Sequence, residues 1–163
     1  MREAQDYSVQ TFQFDSRAAY EAWLEEKCQK TISSFYQLYR SEDMYYLRCN
    51  RSGRAGSRSR TEKAVQNCSC YLDVCLHTDG SVTAKGCFGH VGHTLNPAFL
   101  HLAKLQEQYL KNLLKEHSIE HTIRLCRMLF PAKTSRLHHV SASDLWSIIT
   151  RHGLTVIPND GEK

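Results

Sequence analysis

The 163-residue chain has no apolar run of the length a membrane span needs, and its opening stretch, MREAQDYSVQ, lacks the hydrophobic core of an export signal. Neither a membrane protein nor a secreted one is expected, and the compartment predicted is the cytosol or nucleus. Cysteine is not present in pairs, since the count is seven. An odd count in a reducing compartment argues against a disulfide framework. A His-x-Glu followed by Cys-x-x-Cys, which a zinc deaminase would need, is absent. A nucleophilic Cys–His pair would lack a placed third group. The C-terminal third shows no repeat. These absences leave a soluble, non-enzymatic protein without a small-molecule substrate as the expectation.

What is present is ordinary globular material, 41% hydrophobic and 23% charged, enough for one domain or one domain with a small appendage. The net charge of +4 is unevenly spread. Residues 1–45 carry five basic and eight acidic side chains, net −3. Residues 46–72 carry Arg48, Arg51, Arg54, Arg58, Arg60 and Lys63 against Glu62 alone, net +5. A basic block of this kind suits contact with a polyanion.

The pattern along the chain predicts an α+β fold. Residues 1–10 read as a tail and TFQF as a short strand. Asp15 or Ser16 then caps a helix with Tyr20, Trp23, Leu24 and Cys28 on one face. SSFYQLYR and MYYLRCN, separated by SED, read as a hairpin, and residues 50–67 as a long basic loop with Gly53 and Gly56. CYLDVCLH and SVTAKGCFGH flank the turn TDG and make a second hairpin. The sum is a four-stranded antiparallel sheet from about residue 33 to 90, within a sheet domain at 11–95. A helical unit at 96–155 follows, and a tail at 156–163. In the helical unit Asn96 and Pro97 open a helix with Leu102, Leu105, Tyr109 and Leu113 recurring at intervals of three and four. A second runs through Ile119, Ile123, Cys126 and Leu129 to Pro131. A third starts from a Ser141–Asp144 capping box and ends at Gly153.

Four of the seven cysteines and three histidines crowd into residues 68–94. The spacing Cys49-x18-Cys68-x21-His90-x2-His93 places all four ligands at the open ends of the two hairpins, which a closed Cys₂His₂ zinc site could tie together. Four protein ligands leave no open coordination position, so the metal would be structural. Cys70 shares a face with Cys68 if strand alternation holds, and could replace it; Cys87 could replace either histidine. Cys75 and His77 read as packing or surface groups.

With those residues in hand, MYYLRCNR (44–51), NCSCYLDV (67–74) and FGHVGHT (88–94) resemble the WRKY and glial-cells-missing zinc-finger superfamily, which includes the FLYWCH and FAR-RED IMPAIRED RESPONSE domains. The His90-x2-His93 spacing departs from that pattern by one residue, leaving open whether His90 or Cys87 accompanies His93. FQFDSRAAYEAWLEEKCQ (12–29), LLKEHSIEHTIRLCRML (113–129) and SRLHHVSASDLWSII (135–149) are similar to the segments that flank this finger in Mutator-like transposases and SWIM-type zinc-finger proteins. The resemblance covers about residues 11–150 and lacks the acidic transposase core. It implies a zinc-stabilised, double-stranded DNA-binding part of a transposase-derived nuclear regulator, with the sheet edge in the major groove. Gln37 would then read a base edge. Arg40 and Arg48 would reach guanine or phosphate, and Arg51, Arg54, Arg58, Arg60 and Lys63 would contact phosphates. The alternatives are a protein-interaction module docking through the helical unit, and RNA binding through the basic loop. Arg124, Arg127, Arg136 and Arg151 would give that helical unit positive charge.

Overall fold

Phe12 and Phe14 alternate with polar residues and so make a strand with one apolar face. That strand, β1 (Gln10–Phe14), opens the chain's first folded element in a computed structural model that describes residues 5–53 and 67–158. The chain divides into two compact units, Met1–Leu95 and Asn96–Lys163.

In the first unit β1 is followed by helix α1 (Arg17–Thr31) and strands β2 (Phe35–Arg40), β3 (Met44–Cys49), β4 (Tyr71–Leu76) and β5 (Val82–Cys87). All pairings are antiparallel, and the spatial order is β1-β5-β4-β3-β2. The sheet therefore has five strands, not the four expected. TFQF is not an isolated strand but pairs along β5, with Phe12 opposite Ala84 and Phe14 opposite Val82. The reason is burial: the two rings lie 4.5 and 4.9 Å from Trp23 of α1, and only sheet pairing holds them there. β1 and β2 are the two edges, so α1, which joins them, passes from one edge to the other across a single face.

Ser16 caps α1, its hydroxyl accepting from Ala19 N at 3.1 Å. The helix ends at Ile32 in the left-handed region, φ 52°, which turns the chain sharply into Ser33 and Ser34. The core beneath α1 joins Tyr20 to Leu72, Val74, Val82, Ala84 and Phe88. Gly86 sits where any Cβ would strike the Tyr71 carbonyl and Leu72, so this point of the β4–β5 contact admits no side chain. The opposite face carries cross-strand pairs such as Tyr39 with Tyr46 and Arg48 with Tyr71. β2 bulges between Gln37 and Tyr39, and Leu38, at the bulge, is exposed.

The second unit contains 3₁₀ turns at Pro97–Phe99 and Leu137–His139 and helices α2 (Lys104–Leu114), α3 (Ile119–Leu129) and α4 (Ala142–His152). Asn96 caps only the first 3₁₀ turn, so the helix expected from Pro97 onward begins instead at Lys104. Its phase also differs. Leu105 is 84% exposed, while Leu110 and Leu114 are buried. The seam is centred on Leu110 and Leu114, four apart, with the expected Leu102, Tyr109 and Leu113 packed beside it and Leu105 left outside. Leu129 of α3 likewise faces outward. Ser141 and Asp144 form the capping box of α4, and Gly153 ends it at φ 61°. Leu110, Cys126, Leu137, Val140, Leu145 and Ile148 close the core. Arg136 is not a surface charge. It is buried, donating to Leu100 O at 2.7 Å, His139 O at 2.9 Å and Asp144 Oδ2 at 2.9 Å. Arg151 pairs with Glu107, leaving Arg124 and Arg127 on the outside. Among the described residues no helix is long and apolar enough to cross a membrane.

Candidate metal centre

Cys49 is the last residue of β3, Cys68 lies three residues before β4, and His90 lies three residues after β5. All three therefore gather at one end of the sheet. His93 joins them because Gly92, at φ 85°, turns the chain back on itself, a conformation that favours glycine. The ligand atoms of Cys49, Cys68, His90 and His93 lie within 4.8 Å of one another, so the four could hold a metal ion. Cys49 and His90 are buried, whereas Cys68 and His93 are half-buried.

The alternatives left open by the sequence lie elsewhere. Strand alternation does not apply to Cys68 and Cys70, because β4 begins only at Tyr71 and the chain bends at Ser69. Cys70 turns inward, its Sγ 3.8 Å from Ser33 Oγ. Cys87 directs its thiol to the Asp6 and Gly89 carbonyls at 3.7 and 3.9 Å.

The spacing of the donors is that of a tetrahedron. With bonds of about 2.3 Å to sulfur and about 2.05 Å to nitrogen, a four-coordinate ion gives S-to-N edges of about 3.6 Å and an N-to-N edge of about 3.3 Å. Here Cys49 Sγ lies 3.5 Å from His90 Nδ1 and 3.4 Å from His93 Nε2. Cys68 Sγ lies 3.5 and 3.3 Å from the same atoms, and the two nitrogens are 3.3 Å apart.

Hydrogen bonds behind the ligands fix which nitrogen of each neutral imidazole is bare. Thr31 Oγ1 donates its single hydrogen to Lys27 O at 2.8 Å. It can therefore only accept from Ser33 Oγ, 2.8 Å away. Ser33 has then used its own hydrogen and must accept from His90 Nε2 at 2.9 Å. His90 is left with a lone pair on Nδ1, facing the sulfurs. His93 donates from Nδ1 to Thr94 O at 3.1 Å, which leaves its lone pair on Nε2. Two nitrogen lone pairs thus converge with two sulfurs, the arrangement a cation satisfies.

The sulfurs are prepared in the same sense. A hydrogen bond from Cys49 holds the Cys68 thiol well below its ordinary value. The Cys49 thiol is pushed up in turn, by that shared proton first and by burial second. Two thiolates and a divalent ion would leave the buried site neutral. Away from the cluster, burial first and neighbouring negative charge second raise the Cys70 thiol and push Cys28 up to about 12, which keeps both protonated.

The residues expected to touch DNA are placed as follows. Gln37 and Arg40 are exposed on the edge strand β2. Arg48 is engaged within the sheet: it bonds Asp73 Oδ1 at 2.8 Å and stacks over the Tyr46 and Tyr71 rings at 5.8 and 5.2 Å. Arg51 is half-buried just beyond β3. Arg54, Arg58, Arg60 and Lys63 lie outside the described residues. Sequence reasoning missed Ser33, Thr31, Gln5 and Tyr7, all of which reach His90 directly or through one hydroxyl. No local motif marks them, since the contacts arise only when α1 and the N-terminal segment are brought beside residue 90.

No protein-family model, curated protein or solved structure matches this chain.

Proposed function

We propose that the protein is a non-enzymatic, double-stranded DNA-binding domain of the WRKY and glial-cells-missing type, held together by a structural zinc ion and acting in the nucleus. One observation carries the reading. Cys49 and Cys68 bracket the basic segment 50–67, so an ion bound by Cys49, Cys68, His90 and His93 ties both ends of that segment beside the β2–β3 edge. Charge and scaffold then meet at one place. Zinc suits two thiolates and two imidazoles at tetrahedral spacing, and a filled coordination shell supports a structural rather than a catalytic role. In this reading Gln37 and Arg40 face the groove, and Arg51, Arg54, Arg58, Arg60 and Lys63 meet phosphates. Arg48, ion-paired with Asp73, stiffens the reading hairpin.

Duplex affinity measured at several salt concentrations tests it. Neutralising Arg54, Arg58 and Arg60 together should weaken binding to every duplex and flatten the salt slope, by about 0.9 for each phosphate no longer neutralised. Gln37→Ala or Arg40→Ala should instead change which sequences are preferred, at about 1–3 kcal/mol for each base edge no longer read. If the wild type binds duplex no better than the triple variant at low salt, the DNA reading fails. A protein-docking role for the helical unit then takes its place, favoured by Met128 and Trp146, which are 74% and 50% exposed.

A further inference from the structure

The ladder between β1 and β5 ends at the pair Gln10–Gly86, so the backbone from residue 88 to 90 has no strand partner on that side. The segment just before β1 supplies one. The His90 N–H donates to Gln5 Oε1 at 2.7 Å, and the Tyr7 hydroxyl donates to His90 O at 3.2 Å. The same hydroxyl lies 3.1 Å from Gln5 Oε1, so its one hydrogen is shared between that oxygen and the His90 carbonyl. The Tyr7 ring lies flush against Gly89, where a Cβ would come within 2.5 Å of Tyr7 Cδ1 and 2.8 Å of Asp6 O. A further contact from this segment to the sheet end is Asp6 O with the Cys87 thiol, at 3.7 Å. Tyr7 and Val9 are more than half exposed, and the apolar core takes nothing N-terminal to Phe12.

We infer that Gln5 and Tyr7 form a latch over His90 whose engagement sets how long the site retains its metal. The inference rests on reading the four-residue cluster as a metal site. His90 is held at three points: its ring by Ser33, its N–H by Gln5 and its carbonyl by Tyr7. Metal dissociation from a closed four-ligand site requires one ligand to swing away first. His93 and Cys68 are half-buried and belong to short, turning segments, whereas His90 is buried and bonded through its ring and its backbone. Fixing His90 therefore keeps the ion attached to a stationary ligand while others fluctuate. Releasing its backbone lets the imidazole leave without disturbing the sheet. Gln5 and Tyr7 are positioning residues in this sense, touching the ligand and not the ion.

The test is the rate at which zinc passes from the full chain to an excess of a coloured chelator, in the wild type and in Gln5→Ala, Tyr7→Phe and the double variant. Tyr7→Phe keeps the ring on Gly89 and removes only the hydroxyl, so it preserves the fold. The double variant should lose zinc about tenfold faster, in the range that groups behind a metal ligand command. The visible spectrum of the cobalt-substituted protein should not change, because the four donors are the same. Val9→Thr, on the same segment but away from His90, should release zinc at the wild-type rate. A double variant as slow as wild type, or a Val9→Thr variant as fast as the double, would overturn the latch. A wild type that takes up no zinc or cobalt overturns the metal reading itself, and the latch with it.

Discussion

The two units solve the same packing problem in different ways. The helical unit closes on apolar side chains, and its buried charge, Arg136, has each of its three nitrogens spent on a partner from the same unit. The sheet unit has an apolar core under α1, but its open end is polar, with Cys49, Ser33, His90 and Asn50 all buried. There two sulfurs and two imidazole nitrogens converge on one another, donors facing donors. One unit is closed by its own side chains; the other ends in four donors that could hold a cation.

The largest effect that would break this contrast is removal of the metal. A structural zinc site contributes roughly 10–16 kcal/mol to the folded state at neutral pH, more than a small sheet can forgo. Chelation, or Cys68→Ser, should unfold the sheet and leave the α-helical signal of residues 104–152 largely intact. Cys75→Ser should be tolerated, since Cys75 pairs across strands with Met44 and Thr83 and takes no part in the cluster. Circular dichroism and metal content per chain measure both. A folded, metal-free sheet, or equal damage from the two substitutions, would erase the distinction between the units.

The next effect sharpens the contrast from the other side. Arg136→Leu strands the half-buried Asp144 carboxylate and two backbone carbonyls, at about 3–5 kcal/mol, and should melt the helical unit while leaving the cobalt spectrum of the sheet unit unchanged. The same pair sets an order in acid. Burial alone would raise the Asp144 carboxyl, but the Ser141 N–H, the Arg136 guanidinium and the Ser141 hydroxyl hold it below its ordinary value. Glu107 is held down as well, first by His152 and then by Arg151. A lowered folded value gives stabilisation that is complete above about pH 4 and is lost as the pH falls through the folded value. Imidazoles as a class take up protons at about pH 6.5, well above the carboxylate range, and a protonated imidazole cannot hold an ion. Acid titration should therefore release metal before the helices unfold, and the reverse order would contradict the scheme.

Much of this was legible in the sequence because its signals were local. Ser16, the TDG turn, the Ser141–Asp144 box and Gly153 mark element ends through contacts within a few residues. The four donors were legible because strand ends bring distant cysteines and histidines together at predictable places. The fifth strand was not, since nothing in TFQF shows that its partner is residues 82–86, about seventy positions away. The choice of Cys68 over Cys70 depended on where β4 begins, one residue after Cys70. The groups behind His90 were illegible for a similar reason. Ser33 reaches it because Ile32 takes a left-handed turn, and Gln5 because the β1–β5 ladder stops at Gly86.

The smallest expected effect concerns the phase of α2, where an apolar run offered two ways to face the core. Reading Leu102, Leu105, Tyr109 and Leu113 as the inner stripe places Leu105 inside, yet it is 84% exposed and Leu110 is fully buried. The two positions lie five residues apart, about 140° around the helix, so they cannot share a narrow face. Leu110→Ala should then cost about 2–5 kcal/mol, since the hole opens among Cys126, Leu145 and Ile148 in a closed core. Leu105→Lys should stay within about 0.5 kcal/mol of wild type, because no buried group loses a neighbour and lysine is a good helix former. Thermal unfolding of the helical signal measures both. Equal costs would mean that Leu105 is covered in solution, and the apolar surface of α2 would then be an interface rather than an outer face.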